Sequence, residues 1–394
     1  MGISATGTTH MKLGYNFMWA ENHYGLYFGP HFENPKLRSE NRWDTATDSP
    51  RKWDVSKMRE TRYEVEKELM GLDRWVDVFA ARMRYLRNTL KIEVVRVFLL
   101  CNAQNYGSLS ASGAYQPPDF LHPRFIWHFE HMLVGARDAG IQLIPCLLDF
   151  GICNPDWSKN KRWPMINDPK FFPTIFDPLL TISADYRSTI YAWEVMNEPA
   201  WMLSSYYPFR ATIRDPITWL PTWAKVSEED LKKFLQRGVA KIKEYEFEST
   251  VGHRYYVDMF KLPTGTRPQF HYYRNEYNPW NKDLDVIADA RAKTTLSEKA
   301  LPFVGEFGCG AEHGVSWPEL EDAGLNERNT PDRVFERLRL LKRKNYELAM
   351  LWTDGPDPTD WPDLNRPPKI PDPLKLTTDC ELGIFRYLDY FNLR

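Results

Sequence analysis

Residues 191–199 read Tyr191-Ala192-Trp193-Glu194-Val195-Met196-Asn197-Glu198-Pro199, and residues 304–308 read Val304-Gly305-Glu306-Phe307-Gly308. Each is a short apolar run that closes on a carboxylate. Runs of four to six apolar residues suit buried strands, whose inward side chains fill the interior of a barrel in layers. Working outward, such runs alternate with patterns of period near 3.6 from Lys12 onward. This is the signature of repeated βα units and a parallel sheet.

Eight strands can be counted. Strand 1 is expected at 13–17 and strand 2 at 94–99, with a helix between them whose apolar face is Trp75, Phe79, Met83, Leu86 and Leu90. The next helix opens with Pro123 in its first turn, turns Ile126, Phe129 and Leu133 inward, and stops at Gly140. Strand 3 follows at 141–148, and strand 4 at 190–196 after a helical region near 170–187. Ser227 and Asp230 form a capping pair for a helix with Leu231, Phe234, Leu235, Val239 and Ile242 on one face. Strand 5 falls within 250–257 and strand 6 at 269–273, so the helix between them is short or missing. Strand 7, at 302–306, follows a helix through Leu284 and Ile287; strand 8, at 347–352, follows a helix from Pro331 bearing Val334, Leu338 and Leu341. Residues 379–393 supply the closing helix. The expected fold is an α/β (β/α)8 TIM barrel with long loops at its C-terminal face, with residues 1–10 as a flexible leader and 11–394 as a single catalytic domain. A doubly wound open sheet would announce a nucleotide site by a glycine-rich turn after its first strand, and neither G-x-G-x-x-G nor G-x-x-x-x-G-K is present.

Lys plus Arg, at 51, nearly balance Asp plus Glu, at 53. No overall field favours nucleic acid or an anionic membrane, and a neutral substrate fits. Aromatic residues reach 14%, including 15 Trp, many of them in segments rich in Pro, Gly, Asn and Asp. A single such ring packs as core; the set also suits the C–H faces of pyranose rings. Trp19 and Trp201 are candidates for that contact. Five cysteines, an odd number without C-x-x-C spacing, argue against a disulfide framework or a zinc site. They read as small buried hydrophobes, with a Cys101–Cys153 bridge between adjacent strands left open. Residues 1–20 hold no charged-then-apolar signal, and no stretch has the roughly 18 apolar residues that span a bilayer. As given, the chain reads as soluble and cytoplasmic, or as secreted if a signal was removed.

Catalytic groups of such barrels sit at the C-terminal ends of strands. Strand 2 carries Arg96, strand 4 ends in Asn197-Glu198-Pro199, strand 6 bears His271 and Tyr273, strand 7 ends in Glu306 and strand 8 in Trp352. Strands 4 and 7 face each other across a narrow mouth, so Glu198 and Glu306 can flank one scissile bond. Retention of configuration needs the two carboxyls about 5–5.5 Å apart. Asp149 and Asn154 after strand 3, and Asn102 and Asn105 after strand 2, are placed to touch sugar hydroxyls. Glu194 shares the strand-face parity of Glu198 but lies deeper, as a polar core residue. His128, Glu130 and His131 are not H-E-x-x-H and are expected in solvated or capping roles on an outer helix.

The tripeptide Asn197-Glu198-Pro199 with Glu306 resembles glycoside hydrolase clan A, most closely family 5, the cellulase and β-mannanase superfamily. That resemblance implies a retaining β-glycosidase that hydrolyses β-linked glucosyl or mannosyl oligo- or polysaccharides by double displacement, without metal or organic cofactor. Glu198 would be the general acid/base, Asn197 would bind the sugar 2-hydroxyl, and Glu306 would be the nucleophile. Arg96 and Tyr273 would hydrogen-bond to the nucleophile, Arg96 keeping it ionised. His271 would line the same pocket, and Trp352 would form the floor beneath the sugar. The chain departs from the family in its short 5–6 connection, its insertion at 20–60 and its lack of the histidine often found after strand 3 in cellulases. The Trp-Glu-x-x-Asn-Glu-Pro form is similar to that of β-mannanases, so mannan is a candidate. A transglycosylase would share every catalytic residue, differing in how well the cleft excludes water. A non-catalytic carbohydrate-binding barrel would keep the aromatic platform without turnover. A metal-dependent barrel hydrolase would need a His/Asp cluster at strand ends, where only His271 qualifies.

Overall fold

The computed structural model describes residues 10–17, 19–20, 23–24, 74–100, 108–109, 115–116, 121, 123–150, 163–203, 226–253, 267–272, 303–307, 330–343, 345–352 and 379–394. Eight parallel strands close into a barrel: β1 (Lys12–Phe17), β2 (Val94–Phe98), β3 (Gln142–Asp149), β4 (Trp193–Asn197), β5 (Ser249–His253), β6 (Arg267–His271), β7 (Phe303–Phe307) and β8 (Leu348–Trp352). Each strand hydrogen-bonds to the next in sequence, and β1 pairs with both β8 and β2, which closes the ring. The expected (β/α)8 barrel is thus observed, with strand ends shifted by one to three residues. Strand 4 shifts most: Ile190 makes only an isolated bridge to Leu143, and regular pairing begins at Trp193.

The outer helices are α1 (Arg74–Leu90), α2 (Pro123–Ala139), α3 (Asp177–Ala184), α4 (Glu228–Glu244), α5 (Thr330–Arg343) and α6 (Asp379–Tyr390). The apolar faces read from periodicity are buried: Phe79, Met83, Leu86 and Leu90 in α1, Ile126, Phe129 and Leu133 in α2, and Leu231, Phe234, Leu235, Val239 and Ile242 in α4. α2 ends at Gly140, whose φ of 69° is the left-handed conformation a helix stop requires. α4 begins as expected: the Asp230 N–H donates to Ser227 Oγ at 3.0 Å, and that hydroxyl donates back to Asp230 Oδ2 at 2.8 Å. α4 lies so close to β4 that a Cβ at Gly238 would stand 2.6 Å from Val195 Cγ1, so glycine there lets the helix press on the strand that carries Asn197 and Glu198.

Side chains of the barrel interior form two layers. Near the N-terminal mouth, Val94, Ile144, Tyr191, Ala192, Phe303, Leu348 and Met350 form an apolar cluster separate from the core between sheet and helices. Two residues further along the strands the inward positions turn polar, as the period of two demands. The N-terminal mouth itself is closed by Tyr191. Its hydroxyl donates to Glu347 at 2.7 Å, and its ring lies between the Lys12 ammonium, 4.9 Å from the centroid, and the Arg267 guanidinium at 4.4 Å.

The expectation for α2 needs correction at two positions. His128 and Glu130 are buried, not solvated: the Tyr186 hydroxyl donates to Glu130 Oε1 at 2.9 Å, and the His128 ring lies 5.4 Å from that of Trp127. His131, half-buried, sits with Nδ1 2.9 Å from the Trp127 carbonyl. Cys146 is a buried free thiol, as expected of a small hydrophobe, whereas Cys101 and Cys153 lie outside the described residues, as do Leu284 and Ile287. Among the described residues no helix is long and apolar enough to cross a membrane. Residues 254–266, the whole β5–β6 connection, and residues 1–9 also lie outside the described part.

The closing helix is fastened by charge. Glu381 of α6, fully buried, accepts from Arg82 of α1 and from the hydroxyls of Tyr15 and Tyr85, each at 3.4 Å. Taking one partner from a buried ion pair strands the other and costs about 3–5 kcal/mol. Glu381→Ala is expected to lower unfolding free energy by that order in urea titration, and Arg82→Met/Glu381→Met by clearly less than the single variant.

Candidate active site

The upper polar layer is organised by Arg96. Along β2, Val94, Arg96 and Phe98 share the inward face, and the Arg96 guanidinium lies 4.6 Å from the centre of the Phe98 ring. Its side chain is fully buried and spends its donors on four partners. Nε and one terminal nitrogen grip Glu194 at 2.6 Å each, the fork-on-carboxylate geometry that Arg favours. The same terminal nitrogen donates to Asn197 Oδ1 at 2.7 Å, and the other donates to Asn16 Oδ1 at 3.0 Å and to Glu306 Oε1 at 2.5 Å.

Glu198, Glu306 and His271 meet above this layer. His271 Nδ1 lies 2.8 Å from Glu198 Oε1 and 3.1 Å from Glu306 Oε2. One donor atom from each of the three residues falls within 4.8 Å of the others, the one such group of His, Cys, Asp and Glu among the described residues. An imidazole nitrogen and two carboxylate oxygens could hold a divalent cation; they are equally a set that shares protons. Burial lifts the Glu306 carboxyl above the ordinary carboxylate range, against His271 and Arg96 and with Glu198 pushing the same way as burial. Arg96 acts in the expected direction, toward the anion, and burial acts against it. Beside them His253, buried at the end of β5, is held neutral. Its imidazole is pushed down to about 3 by burial, with His271 adding repulsion.

Backbone geometry aims these groups. Glu198 is in the left-handed region, φ 47° and ψ 47°, a strained place for a residue with a side chain. Its N–H donates to the Gly252 carbonyl at 2.7 Å, and Pro199 opens a 3-10 turn to Met202. Register shifts fall between Glu194 and Asn197, between Phe270 and His271 and between Val304 and Phe307, so three strands are bent where they present site residues.

Of the residues expected in the site, Glu198, Glu306, Arg96, Asn197 and His271 come together. Trp352, at the end of β8, is half-buried with its ring 6.3 Å from Phe98 on the same floor. Tyr273, Asn102, Asn105 and Asn154 lie outside the described residues, and so do the side chains of Trp19 and Trp201. Asp149 is buried at the end of β3, paired in register with Asn197. Sequence reasoning missed Asn16, Gln269 and Gly252. Asn16 donates to the carbonyls of Gly305 at 2.9 Å and Leu351 at 3.2 Å while accepting from Arg96. Gln269 donates to Glu194 Oε2 at 3.1 Å. The available signal was parity: Asn16, Arg96 and Gln269 are polar residues at inward positions of otherwise apolar strands.

Gly252 is required by close approach. A Cβ there would stand 2.4 Å from Glu194 Oε1 and 3.0 Å from an Arg96 nitrogen. Gly252→Ala is therefore expected to displace Arg96 and, through it, Glu306. The expected result is a fall in kcat/KM of at least about a hundredfold, the scale on which an ångström of misplacement acts, with the fold retained by circular dichroism.

No family model matches the chain, and neither does any curated protein. Solved structures do. A β-mannanase from the blue mussel Mytilus edulis superposes with a TM-score of 0.52 at 15% identity, over 96% of this chain and 92% of that one. A GH5_18 protein from Bifidobacterium longum subsp. longum gives 0.55 at 10% identity, over 98% and 80%. A β-1,4-mannanase from the sea hare Aplysia kurodai gives 0.52 at 14%, over 87% and 88%. With eight parallel βα strands closed in this order and matches that span most of the chain, the protein has the (β/α)8 barrel fold of these structures.

Proposed function

We propose that this protein is a retaining β-glycosidase with Glu306 as nucleophile and Glu198 as general acid/base. The observation that carries the reading is the approach of the two carboxylates, with an oxygen of each within 4.8 Å of the other. Retaining enzymes hold their carboxyls about 5–5.5 Å apart, whereas inverting ones leave about 6.5–9.5 Å for a water. Roles follow from surroundings. Glu306 receives Arg96 and His271, two donors that favour its anion; Glu198 has His271 and a side chain 13% exposed, the better place for the proton the pair retains.

In the first step a Glu306 oxygen attacks the anomeric carbon as the glycosidic bond breaks, and Glu198 gives its proton to the leaving oxygen. In the second, Glu198 takes a proton from water as that water's oxygen attacks the anomeric carbon, which releases Glu306. In this reading Asn197, held by Arg96, binds the sugar 2-hydroxyl, and Trp352 stacks on the ring face. A β-mannosyl substrate is favoured over β-glucosyl, since the neighbours include β-mannanases and a GH5_18 variant solved with Manβ1-4GlcNAc.

Wild type is expected to turn over aryl β-mannosides or β-mannan oligosaccharides with the anomeric configuration kept in the first product seen by NMR. Glu306→Ala is expected to lose at least about 10⁴-fold, as loss of a covalent nucleophile does. Glu198→Ala is expected to lose far less on an activated dinitrophenyl leaving group, which departs without a proton, than on oligosaccharides. Transfer to added sugar in place of water would mark a transglycosylase; binding without turnover would mark a carbohydrate-binding barrel and sink the proposal. The cluster of Glu198, His271 and Glu306 also favours a second reading, a cation-dependent hydrolase. EDTA separates the two: unchanged turnover supports the glycosidase, and loss restored by added metal supports the alternative.

A further inference from the structure

We propose that Glu194, on β4 below Glu198, is a positioning residue that governs how much of the Arg96 charge is available to Glu306; the inference rests on Glu306 being the nucleophile. Arg96 is a single buried cation between two carboxylates. Glu194 holds it by two bonds of 2.6 Å, Glu306 by one of 2.5 Å. Charge drawn toward Glu194 is charge withheld from Glu306. Glu194 touches no reacting atom, since it lies in the layer beneath and is fully buried.

The electrostatic neighbours can be followed strand by strand. Glu306 on β7 faces Arg96 from β2, His271 from β6 and Glu198 from the end of β4. Arg96 faces Glu194, Glu306 and, from β3, Cys146, whose thiol burial keeps protonated. Glu194 faces Arg96, Cys146 and the Gln269 amide from β6 at 3.1 Å. Asp149, at the end of β3, acts on Cys146 from above. Arg96 is the permanent cation in this set, so Glu194 and Glu306 compete for one charge. Gln269 bears on the competition, because its Nε2–H donates to Glu194 and satisfies part of that carboxylate's demand.

Two variants have opposite signs. Glu194→Gln removes the competing anion, leaves Arg96 to Glu306, and stabilises ionised Glu306, so its titration midpoint falls. Gln269→Met removes the donor, makes Glu194 lean harder on Arg96, and raises the midpoint. Direct loss of a nearby anion also lowers the midpoint, so Gln269→Met, which changes no formal charge, isolates the share that acts through Arg96.

The test is a ¹³C NMR titration of the full-length protein labelled at glutamate side-chain carboxyls, with the Glu306 signal assigned by its loss in Glu306→Gln. The expected result is a fall of about one pH unit in Glu194→Gln, a tenfold change in proton affinity, and a rise of about a few tenths in Gln269→Met. The acid limb of kcat/KM should move with the signal, because that limb reports the free enzyme. An unmoved or rising midpoint in Glu194→Gln overturns the inference whatever the activity. A falling midpoint in a protein that hydrolyses no glycoside leaves the positioning role standing and removes the proposed function instead. If Glu194→Gln does not fold, Gln269→Met decides: a rise supports the inference, and no change or a fall overturns it.

Discussion

A guanidinium sealed inside a barrel about one side chain wide is the constraint on which the upper half of this molecule is built. Removing a cation from water costs several kcal/mol even after relaxation, and the cost is offset only if every donor finds a well-placed acceptor. Arg96 finds them on β1, β4 and β7, in Asn16, Glu194, Asn197 and Glu306. Those acceptors then constrain their own strands. Asn16 must be an amide, since it accepts from Arg96 with one atom and donates to the Gly305 and Leu351 carbonyls with the other. Position 252 must lack a side chain because Glu194 and Arg96 already fill the space. Two register shifts lie on strands that hold these groups, β4 and β7.

The lower half obeys a different rule. Val94, Ile144, Phe303, Leu348 and Met350 fill the interior with hydrocarbon, and the charges at that mouth, Lys12, Arg267 and Glu347, engage Tyr191 at the rim. Glu381 and Arg82 pair outside the barrel wall, between α1 and α6. Charge is therefore used in two ways here. At the base and between helices it fastens elements, while in the upper layer it is left partly unbalanced, with two carboxylates and Glu198 around one cation and one imidazole.

Much of this was legible as periodicity. Alternating strand and helix patterns located all eight strands, because barrel strands buried on both faces are short apolar runs and their helices show one apolar stripe. Glu198 and Glu306 were legible because each ends such a run on a charge, which needs a reason. Asn16 and Gln269 were passed over although they break the same kind of run, since a lone amide carries no formal charge to draw notice. Gly252 was beyond reach: its need comes from side chains on β2 and β4 that meet it only after closure. His128 and Glu130 were misjudged for a related reason, as the burial of a polar helix position depends on partners, such as Tyr186 for Glu130, that meet it only in the folded chain. The balance at Glu306 was only half legible, because opposite charge is visible in a sequence and desolvation is not.

That balance changes how the site has to be understood. His271 Nδ1 stands between an oxygen of Glu198 and an oxygen of Glu306, and so joins the two carboxylates. The strained backbone at Glu198 fits the same logic. Held by the Gly252 carbonyl and by Pro199, it keeps the Glu198 carboxyl against His271, whose Nδ1 lies 2.8 Å from Oε1. Packing and site geometry are joined at this point: Gly252, which must lack a side chain beside Glu194 and Arg96, is also the residue whose carbonyl accepts from the Glu198 N–H.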